Sequence, residues 1–302
     1  MSQQIPTAYV KKYAAGVRML QQQTGTRLRG AVMFDGDVTA DRAFYDQIDA
    51  TSMSEITNRH GDTEYTDTPH KRRMATLKPY EVADLVDRAD QRRLLNDPIN
   101  PYTRAMAAAA NRKTDDIIIT SFRATAATGV DGSGTADLAA TNFTQHDGTA
   151  VDGTGLAITL AGLLDARETL EAAENEEDDE DNKWYCATFA AVRTVLLQIT
   201  DVTSADFNTV KALVNGQIDQ YLGFTWLKSE RLETSTTGAA TARHLPFWVK
   251  KSVQLAVSQN ATAFMDVLPQ KRHSTQVRYE MDAGAVRMDE KGVYLMEVTA
   301  AG

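Results

Sequence analysis

The stretch from Pro101 to Arg123, PYTRAMAAAANRKTDDIIITSFR, constrains the fold of this chain more than any other. It contains no glycine, and its only proline comes first, where a helix tolerates the missing N–H. Asn100 can cap the helix, and alanine has the highest helix propensity of all residues. At about 1.5 Å per residue the helix would be roughly 35 Å long. We therefore predict a spine helix over about 101–123.

One face of this helix can be predicted from spacing. Tyr102, Met106, Ala109, Ile117 and Thr120 recur at intervals of three and four residues. The small side chains of the first half allow another backbone or sheet to approach closely. The pattern therefore predicts a partner that packs along this face.

The segment before the helix has little apolar content. Residues 1 to about 30 are polar and basic, and we expect an arm with one short helix around 10–22. Residues 31–86 mix β-branched and aromatic residues with polar ones, and a turn-rich, charged stretch interrupts them. This pattern predicts a long hairpin with its tip near 61–69. Neither the arm nor the hairpin can bury itself, so both need something else to lie on.

After the helix the chain alternates between element types. A glycine-rich loop or hairpin region is followed by a compact α/β unit at about 156–265. Within this unit we expect three helices, namely LAITLAGLLDARETLEAAE, AAVRTVLLQI and a third over about 206–216. We also expect a buried strand KWYCATF, strands around Gly223, a flexible loop ETSTTGAATA and a strand HLPFWV. The last segment predicts a three-stranded antiparallel ribbon with turns at 282–284 and 289–292. A ribbon of this size needs support, and the spine helix is its expected partner.

Bulk properties exclude several classes of protein. The net charge of −9 argues against a protein that coats nucleic acid over its whole surface. The charge is uneven, since residues 1–34 contain bases and no acid while residues 171–181 contain eight acids and no base. No apolar run reaches the roughly 20 residues of a membrane span. The single cysteine, Cys186, allows no intramolecular disulfide, which fits a reducing compartment.

The sequence contains no recognisable active-site motif. His60 and His70 lie near acidic residues, but no fixed spacing holds them on one face, so a charged hairpin tip is favoured over a metal site. No nucleophile motif surrounds Cys186, which we expect to be an inert buried thiol. The three tryptophans fall on strand-like stretches and are expected in the core. We predict no catalytic, cofactor or metal site.

Long stretches of the chain resemble one family. They are FYDQI at 44–48, DTPHKRRMATLKPYEVADLVDRAD at 67–90, DPINPYTRAMAAAANRKTDD at 97–116 and VTSADFNTVKALVNGQIDQYLGFTWLKSERL at 202–232. In this order, and with the same sequence of parts, they resemble the major capsid proteins of tailed bacteriophages, which have the Hong Kong ninety-seven fold. The similarity covers about residues 40–235.

The resemblance implies an α+β fold with four named parts. These are an N-terminal arm at 1–42, an extended β-hairpin called the E-loop at 43–82, a P-domain with the spine helix and a β-sheet at 83–155 and 266–302, and an α/β A-domain at 156–265. It implies a structural subunit without catalysis or cofactor. The E-loop would reach over an adjacent subunit, and A-domains would meet at the centres of pentamers and hexamers.

The resemblance also implies partners. The subunit would assemble with itself, in the host cytoplasm, into the icosahedral head of the virion around double-stranded DNA, with no membrane. A portal and a decoration protein are further candidate partners, and the absence of a long segment before the arm favours a separate scaffolding protein. Candidate contacts to neighbouring subunits or DNA are basic residues of the arm and of the hairpin: Lys11, Lys12, Arg18, Arg27, Arg29, His70, Lys71, Arg72 and Arg73.

Two alternatives remain open from the sequence. An encapsulin-like cellular compartment shares the fold and would need a groove for a cargo peptide. An enzyme or metal-binding α/β protein would need motifs that the sequence does not contain.

Overall fold

The computed structural model describes residues 21–56, 61–63, 65–86, 99–144, 158–175, 182–198, 220–237 and 240–299. In these ranges the helices are α1 (Ile99–Arg123), α2 (Leu160–Ala172) and α3 (Ala190–Gln198). The strands are β1 (Met33–Asp35), β2 (Arg42–Ile48), β3 (His70–Thr76), β4 (Lys78–Val86), β5 (Ala126–Thr128), β6 (Gly134–Ala136), β7 (Phe143–Thr144), β8 (Trp184–Thr188), β9 (Gln220–Tyr221), β10 (Phe224–Lys228), β11 (Thr234–Thr237), β12 (Ala240–Val249), β13 (Val253–Leu268), β14 (Ser274–Arg287) and β15 (Val293–Thr299). The predicted short helix at 10–22 and the third helix at 206–216 lie essentially outside the described residues.

The chain divides into two compact units. One contains the described residues within 1–25, 80–112 and 261–281, and the other those within 26–79, 113–260 and 282–302. In the smaller unit, Met106, Val277 and Met281 are buried, and so are the alanines Ala108 and Ala110 of α1. In the larger unit, a mixed sheet of seven strands has the order β7-β15-β12-β8-β10-β9, with β11 on β12.

The core of the larger unit surrounds this seven-stranded sheet. Trp184 and Trp248 lie on neighbouring strands and are 2% and 0% exposed, so the expected burial of the tryptophans is confirmed. Phe122 of α1 packs on Trp248 with ring centroids 4.7 Å apart. Leu163 and Leu170 of α2 belong to the same cluster. The sheet is therefore held by aromatic and aliphatic side chains from both α1 and α2.

The predicted long helix is present as α1, but its buried face differs from the expected one. Of the predicted face Met106 is buried, whereas Tyr102 and Thr120 are exposed. In the second half, Asp115 and Phe122 are buried instead. Three consecutive isoleucines leave the phase of an apolar stripe undetermined, and an acidic residue is not expected inside. The sequence therefore predicted the helix correctly, but the spacing of its residues predicted the wrong buried face.

The predicted hairpin is formed by β2 and β3. They pair antiparallel from Arg42 opposite Thr76 to Ile48 opposite His70, and β5 and β6 extend the sheet beyond β3. The backbone N–H of Asp49 donates to the carbonyl of Pro69 at 3.0 Å, one step beyond the ladder. The described residues between these strands carry no regular structure. The connection is therefore much longer than a tight turn.

The C-terminal ribbon was predicted wrongly. The expected turn at 282–284 is absent, because β14 runs unbroken from Ser274 to Arg287. A Cβ at Gly284 would lie 2.2 Å from the carbonyl oxygen of Thr76, so this glycine permits a close backbone approach and not a turn. The second expected turn is confirmed before β15. However, β14 lies in a sheet ordered β1-β13-β14-β4, while β15 lies between β7 and β12.

The segment predicted as a flexible loop, ETSTTGAATA, instead contributes two strands. β11 pairs antiparallel with the start of β12, from Thr234 opposite Arg243 to Thr237 opposite Ala240. Threonine is β-branched and favours extended backbone, which the loop prediction underweighted.

Candidate functional site

The basic run His70–Arg73 lies on β3, where successive side chains point to opposite faces of the sheet. His70 is exposed at the start of the strand. The register places Arg72 opposite Asp46 and Arg73 opposite Tyr45 on β2. The four basic residues therefore share one element but not one face.

Two of these residues form exposed ion pairs with the facing strand and its extension. The ammonium nitrogen of Lys71 lies 2.6 Å from Oδ2 of Asp49. Arg72 donates from Nε to Oδ1 of Asp46 at 2.5 Å and from Nη2 to Oδ2 at 3.3 Å. The hydrogen bond from Arg72 lowers the pKa of the Asp46 carboxyl below its usual range. Pairs this exposed orient side chains more than they stabilise a fold.

Arg73 has a different environment because it is buried. Its Nη2 donates to both carboxylate oxygens of Glu290 at 2.6 and 2.7 Å, and its Nε donates to the carbonyl of Met288 at 3.1 Å. Asn142 donates to the backbone carbonyl of Glu290 at 2.7 Å. The guanidinium of Arg73 is therefore used inside the chain, where it ties the hairpin to the turn before β15.

The arm residues that the structure describes are held near its base. The backbone N–H of Arg27 donates to both carboxylate oxygens of Asp115, at 3.1 and 3.0 Å, and that of Leu28 donates to Oδ1 at 3.2 Å. The guanidinium of Arg27 donates to the carbonyl of Lys228 at 2.7 Å. Arg29 lies over the ring of Phe34, 4.3 Å from its centroid. Lys11, Lys12 and Arg18 lie outside the described residues.

A set of exposed apolar side chains was missed in the analysis of the sequence. It lies at the end of β2 and in the segment that follows, where Ile48 is 68% exposed, Met53 101%, Ile56 90% and Tyr65 93%. Soluble chains rarely leave so many large apolar side chains together in water unless a partner covers them. The signal was present in the sequence as single apolar residues spaced through a polar, charged segment.

Metal-ligating and nucleophilic side chains were considered next among the described residues. These residues contain no group of histidine, cysteine and acidic residues that could hold a metal ion. Cys186 is fully buried on β8, and burial raises the pKa of its thiol well above the usual value. Among the same residues no helix is long and apolar enough to cross a membrane.

Comparison with solved structures identifies the fold. The capsid of cyanophage P-SCSP1u matches with a TM-score of 0.74 and 15% identity, over 97% of this chain and 93% of that chain. The capsid of Ralstonia phage GP4 matches with a TM-score of 0.72 and 11% identity, over 97% and 96% of the two chains. The capsid asymmetric unit of cyanophage Pam1 matches with a TM-score of 0.69 and 16% identity, over 98% of each. The predicted α+β capsid fold is thereby confirmed.

Sequence comparison identifies the family. No curated protein matches the chain. A family model described as phage capsid protein, however, matches residues 5–299. This match and the phage capsid structures do not favour the encapsulin-like alternative. Because the model extends over nearly the whole sequence, the chain belongs to the phage capsid protein family.

Proposed function

We propose that this chain is the major capsid protein of a tailed bacteriophage, a structural subunit without catalytic activity. It assembles with itself, as pentamers and hexamers, into the icosahedral head that encloses double-stranded DNA. Membership of the phage capsid family and the capsid fold support this role. The protein is then a component of the virion, and assembly takes place in the host cytoplasm.

The observation that carries the proposal is the exposed apolar set Ile48, Met53, Ile56 and Tyr65. Each square ångström of apolar surface removed from water contributes about 25 cal/mol, so side chains of this size favour association when a partner covers them. Among the described residues, β2 and β3 pair up to Ile48 and His70 and leave these side chains exposed. A neighbouring copy in a closed shell provides such a cover.

The division into parts is a proposal of the same kind. The arm is 1–42, the E-loop is 43–82, the P-domain is 83–155 with 266–302, and the A-domain is 156–265. The E-loop lies on an adjacent subunit, and A-domains meet at the capsomer centres. Two observations support the assignment of the hairpin as the E-loop. Its two strands are joined by a long connection, and large apolar side chains of that connection are exposed.

The partners other than the chain itself follow from the same role. They are a separate scaffolding protein, a portal and a decoration protein. Packaged DNA faces the inner surface, where the basic residues Lys11, Lys12 and Arg18 of the arm neutralise phosphates. An acidic protein with a modest basic arm binds DNA weakly and in a salt-dependent manner, which permits packaging and release.

Assembly tests the proposal directly. The triple variant Met53→Ser, Ile56→Ser and Tyr65→Ser removes apolar surface that the single chain leaves exposed. Expressed with and without a scaffolding protein, the unaltered chain forms rings or shells in negative-stain micrographs, and the variant forms few or none. Its thermal unfolding stays close to that of the unaltered chain, because exposed side chains contribute little to folding.

Val130→Ser is the matched control. Val130 is 76% exposed and belongs to the turn between β5 and β6, not to the connection between β2 and β3. This variant assembles normally. Normal shells from the triple variant would refute the assignment of the connection as an inter-subunit contact. An unaltered chain that stays monomeric under all conditions would refute the capsid function itself.

A further inference from the structure

A buried histidine lies where the end of α1 meets the seven-stranded sheet. His244 on β12 is 3% exposed and lies opposite Glu297 of β15. Its Nε2 is 3.3 Å from Nη1 of Arg123, the last residue of α1. Its Nδ1 is 3.6 Å from Oε2 of Glu233, too far for a hydrogen bond, and finds no hydrogen-bond partner among the described residues. His244, Arg123 and Glu233 line a small cleft together with apolar side chains that include Ile119, Phe122 and Leu295.

The two ring nitrogens of His244 therefore face groups of opposite charge. Arginine has donors and no acceptor, so Nε2 must accept from Arg123, which requires a neutral ring with its hydrogen on Nδ1. Phe143 of β7 packs edge-on against the His244 ring at 5.8 Å and also lies beneath the Arg123 guanidinium, 5.6 Å from it. The charged groups that face the ring are thus Arg123 from α1, Glu233 before β11 and Glu297 from β15.

Protonation would reverse the hydrogen bonding at this junction. A protonated ring has two donors, so Nε2 can no longer accept from Arg123, and the two cationic groups would lie 3.3 Å apart. Nδ1 would then be attracted to Glu233, which is the more exposed partner, at 43%. We propose that His244 is an acid-sensitive latch: neutral, it holds the end of α1 to the sheet through Arg123, and protonated, it releases Arg123 and pairs with Glu233.

The direction of the pH response follows from the folded environment. Burial lowers the pKa of His244 below its usual value, Arg123 lowers it further, and Glu233 and Glu297 oppose both effects. A histidine with a lowered folded pKa binds protons more readily in the unfolded or opened state. The latch is therefore closed above the ordinary histidine pKa of about 6.5 and loosens as the pH falls below it.

Histidine NMR on the full-length chain tests the neutral state. Nitrogen-15 shifts of His244 at pH 7.5 should report a hydrogen on Nδ1 and not on Nε2. On titration, its pKa should lie below the ordinary histidine value of about 6.5. A hydrogen on Nε2 at neutral pH, or a His244 pKa at or above that ordinary value, overturns the proposal without any variant.

Hydrogen exchange tests the release of the helix end. After correction for intrinsic exchange rates, protection of the amides around residues 120–124 should fall between pH 7.5 and pH 5. The fall is about tenfold for each unit by which the folded pKa lies below the open-state pKa of about 6.5, up to a limit of roughly thirtyfold at pH 5. His244→Gln keeps an acceptor for Arg123 at every pH, so its protection should not change, whereas the control His273→Gln should behave like the unaltered chain. An equal loss of protection in His244→Gln, or no loss in the unaltered chain, overturns the latch. Neither measurement requires assembly, so the outcome is independent of the shell experiments.

Discussion

Burial decides what each basic residue of the hairpin does. Arg72 and Arg73 are sequence neighbours with the same charge, and a strand places them on opposite faces. Arg72 is paired at the surface with Asp46, while Arg73 is 6% exposed and bonded to Glu290. All four residues of the run were predicted as candidate contacts because sequence shows charge without exposure. Contacts of His70, Lys71 and Arg72 to a neighbour or to DNA stay a prediction.

Removing the Arg73 side chain should destabilise the fold. Arg73→Met leaves Glu290 without its partner in a site where the two side chains are 7% and 23% exposed. Breaking a buried ion pair from one side destabilises a protein by about 3 kcal/mol. Denaturant unfolding measures this as a lower midpoint with an unchanged slope. Arg72→Met, at the exposed pair, is the control and should change the midpoint far less. Equal midpoints for the two variants would contradict the structural role of Arg73.

Gly284 shows how one missing side chain sets the path of a strand. A Cβ there would meet the backbone of Thr76 at 2.2 Å, and backbone cannot move aside as a flexible side chain can. Gly284→Ala should therefore lower the free energy of unfolding by about 2 kcal/mol or more. Gly30→Ala is the control, because a Cβ at Gly30 meets nothing within 4 Å. Thermal unfolding of the two variants side by side checks this, and an unchanged melting temperature for Gly284→Ala would show that no close approach exists.

At the scale of elements, α1 anchors the base of the arm. Asp115 accepts hydrogen bonds from two backbone N–H groups, those of Arg27 and Leu28, and its carboxylate is fully buried. Asn111 and Arg112, on the preceding turn, contact the carbonyls of Thr24 and Gln23. The helix therefore fixes where the chain passes from the arm into the sheet.

Asp115→Asn should loosen this anchor. The amide keeps one oxygen acceptor but directs an NH₂ group at backbone donors, and losing hydrogen bonds to a charged acceptor removes about 2 kcal/mol of stability. Hydrogen exchange should increase at the amides of Arg27 and Leu28 before global unfolding. Asp116→Asn is the control, because Asp116 forms only a partly exposed pair with Arg231. Equal exchange at residues 27 and 28 in both variants would argue against the anchor.

Elements with a strong local pattern were predictable from the sequence, and their partners were not. The alanine-rich helix, the buried strand around Trp184 and the hairpin of β2 and β3 follow from propensity and alternation. The sheet that β15 joins depends on pairing with β12, about fifty residues earlier, and local pattern contains no information on such pairing. The burial of Asp115 was invisible for a related reason, since its partners are backbone groups almost ninety residues away.

At the scale of the whole molecule, the apolar residues are distributed unevenly between the core and the surface. The seven-stranded sheet has a dense aromatic core, while the connection between β2 and β3 leaves several large apolar side chains in water. A single chain gains nothing from that arrangement, whereas an assembly does. The low apolar content of the hairpin predicts the same need for a partner from the sequence, but the abundant charges of this segment conceal its few large apolar residues.

The exposed connection between β2 and β3 also has a genetic consequence. A subunit altered only there keeps its folded core, so under the proposed function we expect it to join mixed assemblies in which unaltered copies supply most of the contacts. Each altered copy would leave a contact with a neighbour unmade, and a shell contains many such contacts. We therefore expect a minority of altered copies in a mixed infection to spoil most heads, so that alleles at Met53, Ile56 and Tyr65 behave as dominant and alleles that unfold the core behave as recessive.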